Sequence, residues 1–204
     1  MKRSLLALTL VLPTLCFAAG LGDEGSKRTQ AFIDNLMAVK SSDTGPLPKA
    51  DADANQKVFT ELDGFFDWDY LMSEPVKPRA DKFTPAEMSE FTKKFKEVLR
   101  LVAYPDSGSF FRKAKWKLTA PKEDGDKVTV GIDAKREDLE THVDIHFKKQ
   151  GNVLKLYDVS FDGDSLVKDY QNQMVRIIDK GGAKDLIAKI DKRKSDLEKP
   201  KKTK

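Results

Sequence analysis

Residues 157–174 read YDVSFDGDSLVKDYQNQM and join a predicted β-strand to a predicted α-helix. The strand spans Val153 to Phe161. Asp164 or Ser165 can cap the helix, in which apolar residues recur every three or four positions. The change in hydrophobic period, from two to about 3.6, predicts a sheet whose last strand leads directly into a packed helix.

Three further predicted strands precede this one, and in each of them apolar and polar residues alternate. Turn signals lie between the strands, at residues 124–126, 135–138 and 151–152. The pattern predicts an antiparallel meander with one apolar face and one wet face. The apolar sides of the three strands carry Ala114, Trp116 and Leu118, then Val128, Val130 and Ile132, then Leu139, Val143, Ile145 and Phe147.

Helices are predicted on both sides of this sheet in the chain. The clearest begins at a capping box of Thr84, Pro85 and Glu87 and should end before Pro105, with residues 106–108 turning the chain. Two earlier helices are predicted over residues 26–40 and after an N-cap at Asp53, followed by a short helix through Met72. Pro75 and Pro78 predict a loop, and Gly181-Gly182 separates two helices after the sheet. Helices, four strands and helices in this order predict one α+β domain.

The N-terminus has the parts of a secretory signal peptide. Lys2 and Arg3 form a short positive segment, the apolar run 5–15 is too short for a membrane span, and small residues follow. We expect cleavage after Ala18, which leaves residues 19–198 as the exported domain. A lipoprotein signal at Cys16 is disfavoured by bulky Leu15 in front of it. Because Cys16 is the only cysteine, the mature chain has no thiol chemistry, and a hydrophobic core must hold the fold.

Charge is interspersed through the body of the chain, which carries 34% charged residues and a formal net charge of +4. This distribution does not indicate a nucleic-acid-binding stripe. The segment 199–204 is rich in lysine, and we expect it to be a disordered, solvated tail. The alternative, contact of this tail with anionic headgroups, stays open.

Patterns that indicate catalysis or metal binding are weak. Residues 20–25 match G-x-G-x-x-G but follow a signal peptide instead of a strand, so we interpret them as a flexible junction. Residues 51–62 resemble a calcium loop that lacks its glycine and its last glutamate, and helix capping explains them better. His142 and His146 share one strand face with Asp144, but they are about 13 Å apart and too distant to share one ion. We therefore assign no catalytic residue, no metal and no cofactor.

Apolar stripes on helices and on one sheet face normally form core. If the sheet curves away from its helices, the same faces line a cavity of the kind that binds apolar ligands. Periodicity alone does not separate these two arrangements.

Residues 157–174 resemble the signature of the MlaC or toluene-tolerance family, in which a strand ending in an Asp-Val pair leads through a glycine to a Ser-Leu-Val helix. Phe66-Asp67-Trp68 is similar to the family's Phe-Asp-Phe segment, and the capped helix from Thr84 resembles its Phe-rich helix. Met174 replaces a usual Phe, Leu154 replaces a frequent Trp, and residues 75–81 replace a Leu-Gly and a Trp-Arg. The matching residues are Asp158-Val159, Gly163, Ser165-Leu166-Val167, Tyr170, Gln173, Ile177-Ile178, Gly181-Gly182 and Leu186-Ile187, with Phe91, Phe95, Leu99 and Tyr104 upstream.

The resemblance implies an NTF2-like or MlaC-like α+β fold: a curved antiparallel sheet of four or slightly more strands, packed against helices from both ends of the chain. It implies a monomeric periplasmic carrier that holds phospholipid acyl chains in a cavity between sheet and helices. The implied partners are an inner-membrane ABC transporter with an MCE-type subunit and an outer-membrane lipoprotein–porin complex. The expected lipid-binding residues are Phe91, Phe95, Leu99, Trp116, Val128, Val130, Ile132, Val143, Ile145, Phe147, Val159, Phe161, Leu166, Tyr170, Met174 and Ile177.

Two alternatives remain at this point. The cargo can be a hopanoid or another polycyclic lipid, since related proteins belong to such pathways. A cavity of this general shape also serves enzymes, and scattered carboxylates cannot be paired from sequence alone.

Overall fold

The apolar alternation of residues 115–161 builds the larger part of a curved six-stranded antiparallel sheet. The structure, a computed structural model, describes residues 20–42 and 47–198. The predicted signal peptide and the basic tail lie outside this range. The strands are β1 (Lys115–Leu118), β2 (Lys122–Asp124), β3 (Lys127–Arg136), β4 (Leu139–Gln150), β5 (Val153–Phe161) and β6 (Asp164–Ser165). Their order is β1-β3-β4-β5-β6, with β2 pairing β3 beside β1.

The register confirms the predicted meander. Val130 pairs with Ile145 and Ile132 pairs with Val143 across β3 and β4, so their side chains share one face. Gly125 and Gly151 take positive φ values of 60° and 59° in the tight turns, a conformation that favours glycine. A bulge between His146 and Phe147 shifts the pairing of β4 with β5, and bulges increase the local bend of a strand.

Within residues 20–42 and 47–198, five α-helices and one 3-10 helix accompany the sheet. They are α1 (Leu21–Ala38), α2 (Lys49–Asp63), α3 (Trp68–Ser73), a 3-10 helix (Glu74–Lys82), α4 (Pro85–Lys113) and α5 (Leu166–Glu198). Gly182, with a φ of 75°, interrupts α5 where the sequence predicts a break. The capping box of α4 is confirmed: Thr84 Oγ1 accepts from Glu87 N, and Glu87 Oε2 accepts from Thr84 N.

The predicted end of α4 before Pro105 is wrong, because this helix continues for eight residues beyond the proline to Lys113. Proline removes its own amide donor and crowds the carbonyl of residue 101 one turn earlier, and packing outweighs both costs. Tyr104 and Phe111, one on each side of the proline, are both buried in the core. Gly108 lets α1 approach closely, since a Cβ here would lie 2.2 Å from the Leu36 carbonyl oxygen.

The start of the domain also differs from expectation. Residues 21–25 are helical instead of a flexible junction, because Gly22 and Gly25 are buried where α1 contacts Pro121 and Val128.

The structure also differs from the predictions for residues 48–55 and 75–78. The helix α2 begins at Lys49 rather than after Asp53, whose carboxylate pairs with Lys49 in the first turn. Asn55 is buried and does not cap a helix. Its Oδ1 accepts from Lys40 N at 2.8 Å, and its Nδ2 donates to the Lys40 carbonyl oxygen at 2.9 Å. Pro75 and Pro78 lie in the 3-10 helix instead of a loop.

Among the described residues, two hydrophobic cores form against the two halves of the long α4. The first lies between the sheet and α1, α2 and the C-terminal half of α4. The second lies among α3, the 3-10 helix, the N-terminal half of α4, and α5. No helix among residues 20–42 and 47–198 has the length and apolar character needed to cross a bilayer.

Candidate functional site

A cavity of about 480 Å³ lies where the two cores meet. Its walls come from α1, α3, α4, α5 and the inner faces of β4 and β5, and they are almost entirely apolar. This volume falls within the range of about 300–1,000 Å³ that is usual for small-molecule sites. The lining residues are Phe32, Leu36, Phe66, Leu71, Pro75, Phe95, Leu99, Ala103, Tyr104, Asp106, Ser107, Phe110, Phe111, Leu139, Thr141, Val143, Ile145, Leu156, Asp158, Val159, Phe161, Asp162, Leu166, Val167 and Tyr170.

The cavity opens at one end of the sheet. Leu139 at the start of β4 is 58% exposed and Phe161 at the end of β5 is 47% exposed, although both side chains are large and apolar. Other lining residues, among them Ile145, Leu156 and Phe95, are buried. The cavity therefore has a buried apolar interior and a mouth with exposed apolar residues on its rim.

Part of the predicted lipid-binding set lies on this wall. The helical members come from α4 and α5, and the strand members come from β4 and β5. This group consists of Phe95, Leu99, Val143, Ile145, Val159, Phe161, Leu166 and Tyr170.

The remaining predicted residues do not line the cavity, and packing explains their positions. Val128, Val130, Ile132 and Phe147 lie in the first core, where α1 covers β3. Gly25 of α1 sits directly on this strand, since a Cβ there would lie 2.9 Å from Val128 and 3.3 Å from Val130. Trp116 packs against Phe111 beside this core, and Phe91, Met174 and Ile177 belong to the second core.

The expected lipid-binding residues do not include the α1 wall or the C-terminal half of α4. Phe32 and Leu36 lie within the helix predicted over residues 26–40, and Phe110 and Phe111 fall after the predicted end of α4. The spacing of Tyr104, Gly108 and Phe111 continues the helical stripe past Pro105, and that continuation was the available signal. Phe66 also lines the wall, where its ring stacks on Tyr104 at 6.0 Å.

Tyr104 connects the cavity wall to a group of charged residues behind it. Its hydroxyl donates to Asp63 Oδ1 at 2.8 Å, and burial, with the neighbouring Asp63 carboxylate, strongly raises its pKa. Lys96 and Arg100 lie 3.2 and 3.1 Å from the same carboxylate, and Lys96 also covers the Trp68 ring. These contacts tie the end of α2 to α4 and keep Tyr104 neutral.

The strand-to-helix segment from Asp158 forms one side of the mouth. Asp158 Oδ1 accepts from Val167 N at 3.1 Å, and Oδ2 accepts from Ser165 Oγ at 2.5 Å. Ser165 Oγ in turn accepts from Lys168 N at 3.1 Å, which confirms the Ser165 cap. The first turn of α5 is therefore held against β5.

Both histidines lie on the outer face of the sheet, away from the cavity. His142 contacts Asp133 through Nδ1 at 2.7 Å and Asp144 through Nε2 at 3.2 Å, and the Asp133 hydrogen bond raises its pKa. His146 bonds to Thr129 and Ser160. Within the described parts of the chain, no group of three His, Cys, Asp or Glu side chains is arranged to hold a metal ion.

Comparison with known proteins places this architecture in a family. The family described as MlaC protein matches residues 30–192. This chain belongs to the MlaC family. Curated proteins yield no match to the chain.

A solved structure shares the MlaC fold found here. It is the phospholipid-binding protein from Ralstonia solanacearum, in complex with a phospholipid. The match covers 85% of this chain and 98% of that chain, with a TM-score of 0.66 and 22% sequence identity. The predicted α+β architecture, with a curved antiparallel sheet and helices from both ends of the chain, is thus confirmed.

Proposed function

We propose that this chain is a phospholipid carrier that holds acyl chains in the cavity between its two cores. The single observation that carries the proposal is the buried apolar interior of the cavity, which reaches the surface beside exposed Leu139 and Phe161. Membership of the MlaC family and the phospholipid bound in the Ralstonia solanacearum protein support the same ligand.

The physical reason is the cost of exposing acyl chains to water. Burial of a methylene group is worth about 0.8 kcal/mol, so a free phospholipid crosses an aqueous space very slowly. A carrier removes this cost when Phe95, Ile145 and Leu156 replace water around the chains. Binding and release complete this task, and no bond has to be broken.

We further propose that the carrier works in the periplasm, between the outer and inner membranes. Its partners would be an inner-membrane ABC transporter with an MCE-type subunit and an outer-membrane lipoprotein–porin complex. The order of parts in residues 1–18 and the family membership support this route.

Lipid extraction from the purified protein tests the proposal. Organic solvent followed by mass spectrometry should recover glycerophospholipid in stoichiometric amount, and the loaded protein should deliver it to acceptor vesicles. Recovery of hopanoids instead would assign the cavity to polycyclic lipids. A protein that neither retains nor transfers lipid would contradict the carrier function.

A further inference from the structure

The cavity lining runs inward along two strands of the sheet and then stops on each of them. On β4 it runs from the exposed first residue to Ile145, and on β5 it runs from the exposed last residue to Leu156. The next residues on the same face, Phe147 and Leu154, are wholly buried in the first core and do not line the cavity. The first core therefore begins where the lining of the sheet ends.

The two long helices show the same limit. On α4 the lining residues recur from Phe110 inward to Phe95, and on α5 they run from the first turn to Tyr170. One turn further along each helix, Phe91 and Met174 are buried in the second core and do not line the cavity. The second core therefore begins where the lining of the helices ends.

An aromatic pair stands at the limit on the helices. The Tyr170 ring meets the Phe95 ring edge to face, with the ring centroids 5.2 Å apart. On its other side Phe95 stacks on Phe91 at 5.5 Å, and Phe95 is only 4% exposed. Loss of either ring of the Phe95–Tyr170 pair would extend the cavity toward the second core.

The distance from the mouth to this depth is comparable with the length of a membrane acyl chain. Residues 95–110 of α4 rise about 22 Å along the helix axis, and residues 139–145 of β4 extend about 20 Å. One leaflet of a bilayer contributes about 15 Å of hydrocarbon. A chain of ordinary length therefore fits between the mouth and the Phe95–Tyr170 pair, whereas a much longer chain must leave methylene groups in water.

We propose, on the basis of the carrier function above, that Phe95 and Tyr170 form the floor of the cavity and set the longest acyl chain that it accepts. Each methylene group that stays in water should lower the amount of bound lipid about fourfold, because its burial is lost. The protein should thus accept chains up to a limiting length and reject longer chains steeply.

A competition among chain lengths tests this limit. Delipidated protein is incubated with vesicles of equimolar phosphatidylcholines whose monounsaturated chains range from about 14 to 22 carbons, lengths that bracket an ordinary leaflet. The bound lipids are quantified by mass spectrometry. The bound amount should stay level for the shorter lipids and then fall steeply with each further pair of carbons.

Two substitutions on α4 should move the limit in opposite directions. Phe95→Leu removes the floor ring and should raise the ratio of the longest to the shortest bound lipid at least about fourfold, the effect of one more buried methylene group. Leu99→Phe, one turn nearer the mouth, places a ring in the cavity and should lower that ratio by a similar factor. A general loss of stability would not produce opposite shifts.

The matched control is Phe59→Leu, which replaces a buried ring of the first core outside the cavity wall. It should leave the limiting chain length unchanged. If Phe95→Leu does not fold, Tyr170→Leu tests the same floor from α5, and Leu99→Phe still tests the opposite shift.

Two kinds of result would overturn the inference, and they are distinguishable. A wild-type protein without a limiting chain length, or a limit unchanged in the floor variants and in Leu99→Phe, would refute the floor while leaving the carrier function standing. Absence of bound phospholipid at every chain length would instead refute the carrier function itself.

Discussion

At the scale of single residues, Ile145 and Val130 show how core and cavity differ. They are cross-strand partners on one sheet face, and both are buried. Ile145 lines the cavity, whereas Val130 lies under Gly25 of α1 in close-packed core. The sequence pattern predicts lipid contact for both residues. They differ because α1 covers Val130 and leaves Ile145 on the cavity wall.

Substitution by tryptophan should therefore affect the stability of the lipid-free protein differently at these two positions. Ile145→Trp can place its indole in the cavity, so the lipid-free protein should keep its stability while lipid content and vesicle transfer fall sharply. Val130→Trp must overpack the interface with α1, and we expect the free energy of unfolding to fall by about 1–3 kcal/mol. Denaturant unfolding of delipidated samples, together with lipid counts, measures both effects.

The control for this pair is Lys115→Trp, on an exposed strand position outside the cavity wall, which should bind lipid normally. Strong destabilisation by Ile145→Trp with unchanged lipid content would show that Ile145 is ordinary core.

His142 supplies a prediction about pH. The hydrogen bond to Asp133 is the main cause of its raised pKa, so the folded protein binds the imidazole proton more tightly than the unfolded chain does. This stabilisation is complete below the unfolded value of about 6.5 and is lost as pH rises through the higher folded value. Asp133→Asn should thus destabilise the protein more at about pH 5.5 than at about pH 8.5.

Urea unfolding at the two pH values measures this difference, and NMR titration of His142 should show a lower pKa in the variant. Asp53→Asn, which removes a carboxylate on α2, should show no such dependence in this range. If Asp133→Asn lowers the free energy of unfolding equally at both pH values, the His142–Asp133 hydrogen bond does not stabilise the protein as expected.

At the scale of elements, the contact between α1 and α4 shapes one wall of the cavity. Gly108 permits the contact because the Leu36 carbonyl occupies the space of a Cβ. Phe32 and Leu36 of α1 then face Phe110 and Phe111 of α4 around the cavity. A side chain at 108 must push these helices apart.

We expect Gly108→Ala to destabilise the protein by about 1–3 kcal/mol, even though alanine favours helix. Ser109→Ala, at the next position of α4, should change stability by no more than about 0.5 kcal/mol. Urea midpoints at unchanged m-value measure both. Equal stability of Gly108→Ala and the parent protein would contradict so close an approach of α1 to α4.

At the scale of the whole molecule, two cores share α4 and leave the cavity between them. The segment of α5 after Gly182 belongs to the second core through Leu186, Ile187 and Ile190. These residues lie well before Lys199, so a core role for them does not depend on the sequence of the tail.

Truncation after Glu198 should leave folding and vesicle-to-vesicle transfer unchanged at physiological salt. The measurement is a fluorescence transfer assay on both chains at several salt concentrations. If truncation greatly slows transfer, and added salt slows the intact protein equally, the tail would have an electrostatic role at a membrane or partner surface.

Local patterns in the sequence were sufficient to predict much of this fold. Alternation over residues 115–161 predicts the sheet, Thr84 and Glu87 predict the start of α4, and Gly182 predicts the break in α5. These features depend on neighbours in the chain, where side-chain period, capping and glycine geometry act directly.

Tertiary structure alone decided which apolar residues face the cavity. Val130 and Ile145 have the same local pattern, and Tyr104 and Phe111 belong to one wall only because α4 continues past Pro105. The hydrophobic effect is non-directional. An apolar stripe therefore predicts that a helix or strand face is buried, but it does not predict which element or ligand covers that face. The cavity lies where the two cores meet, and its shape depends on the placement of every surrounding element.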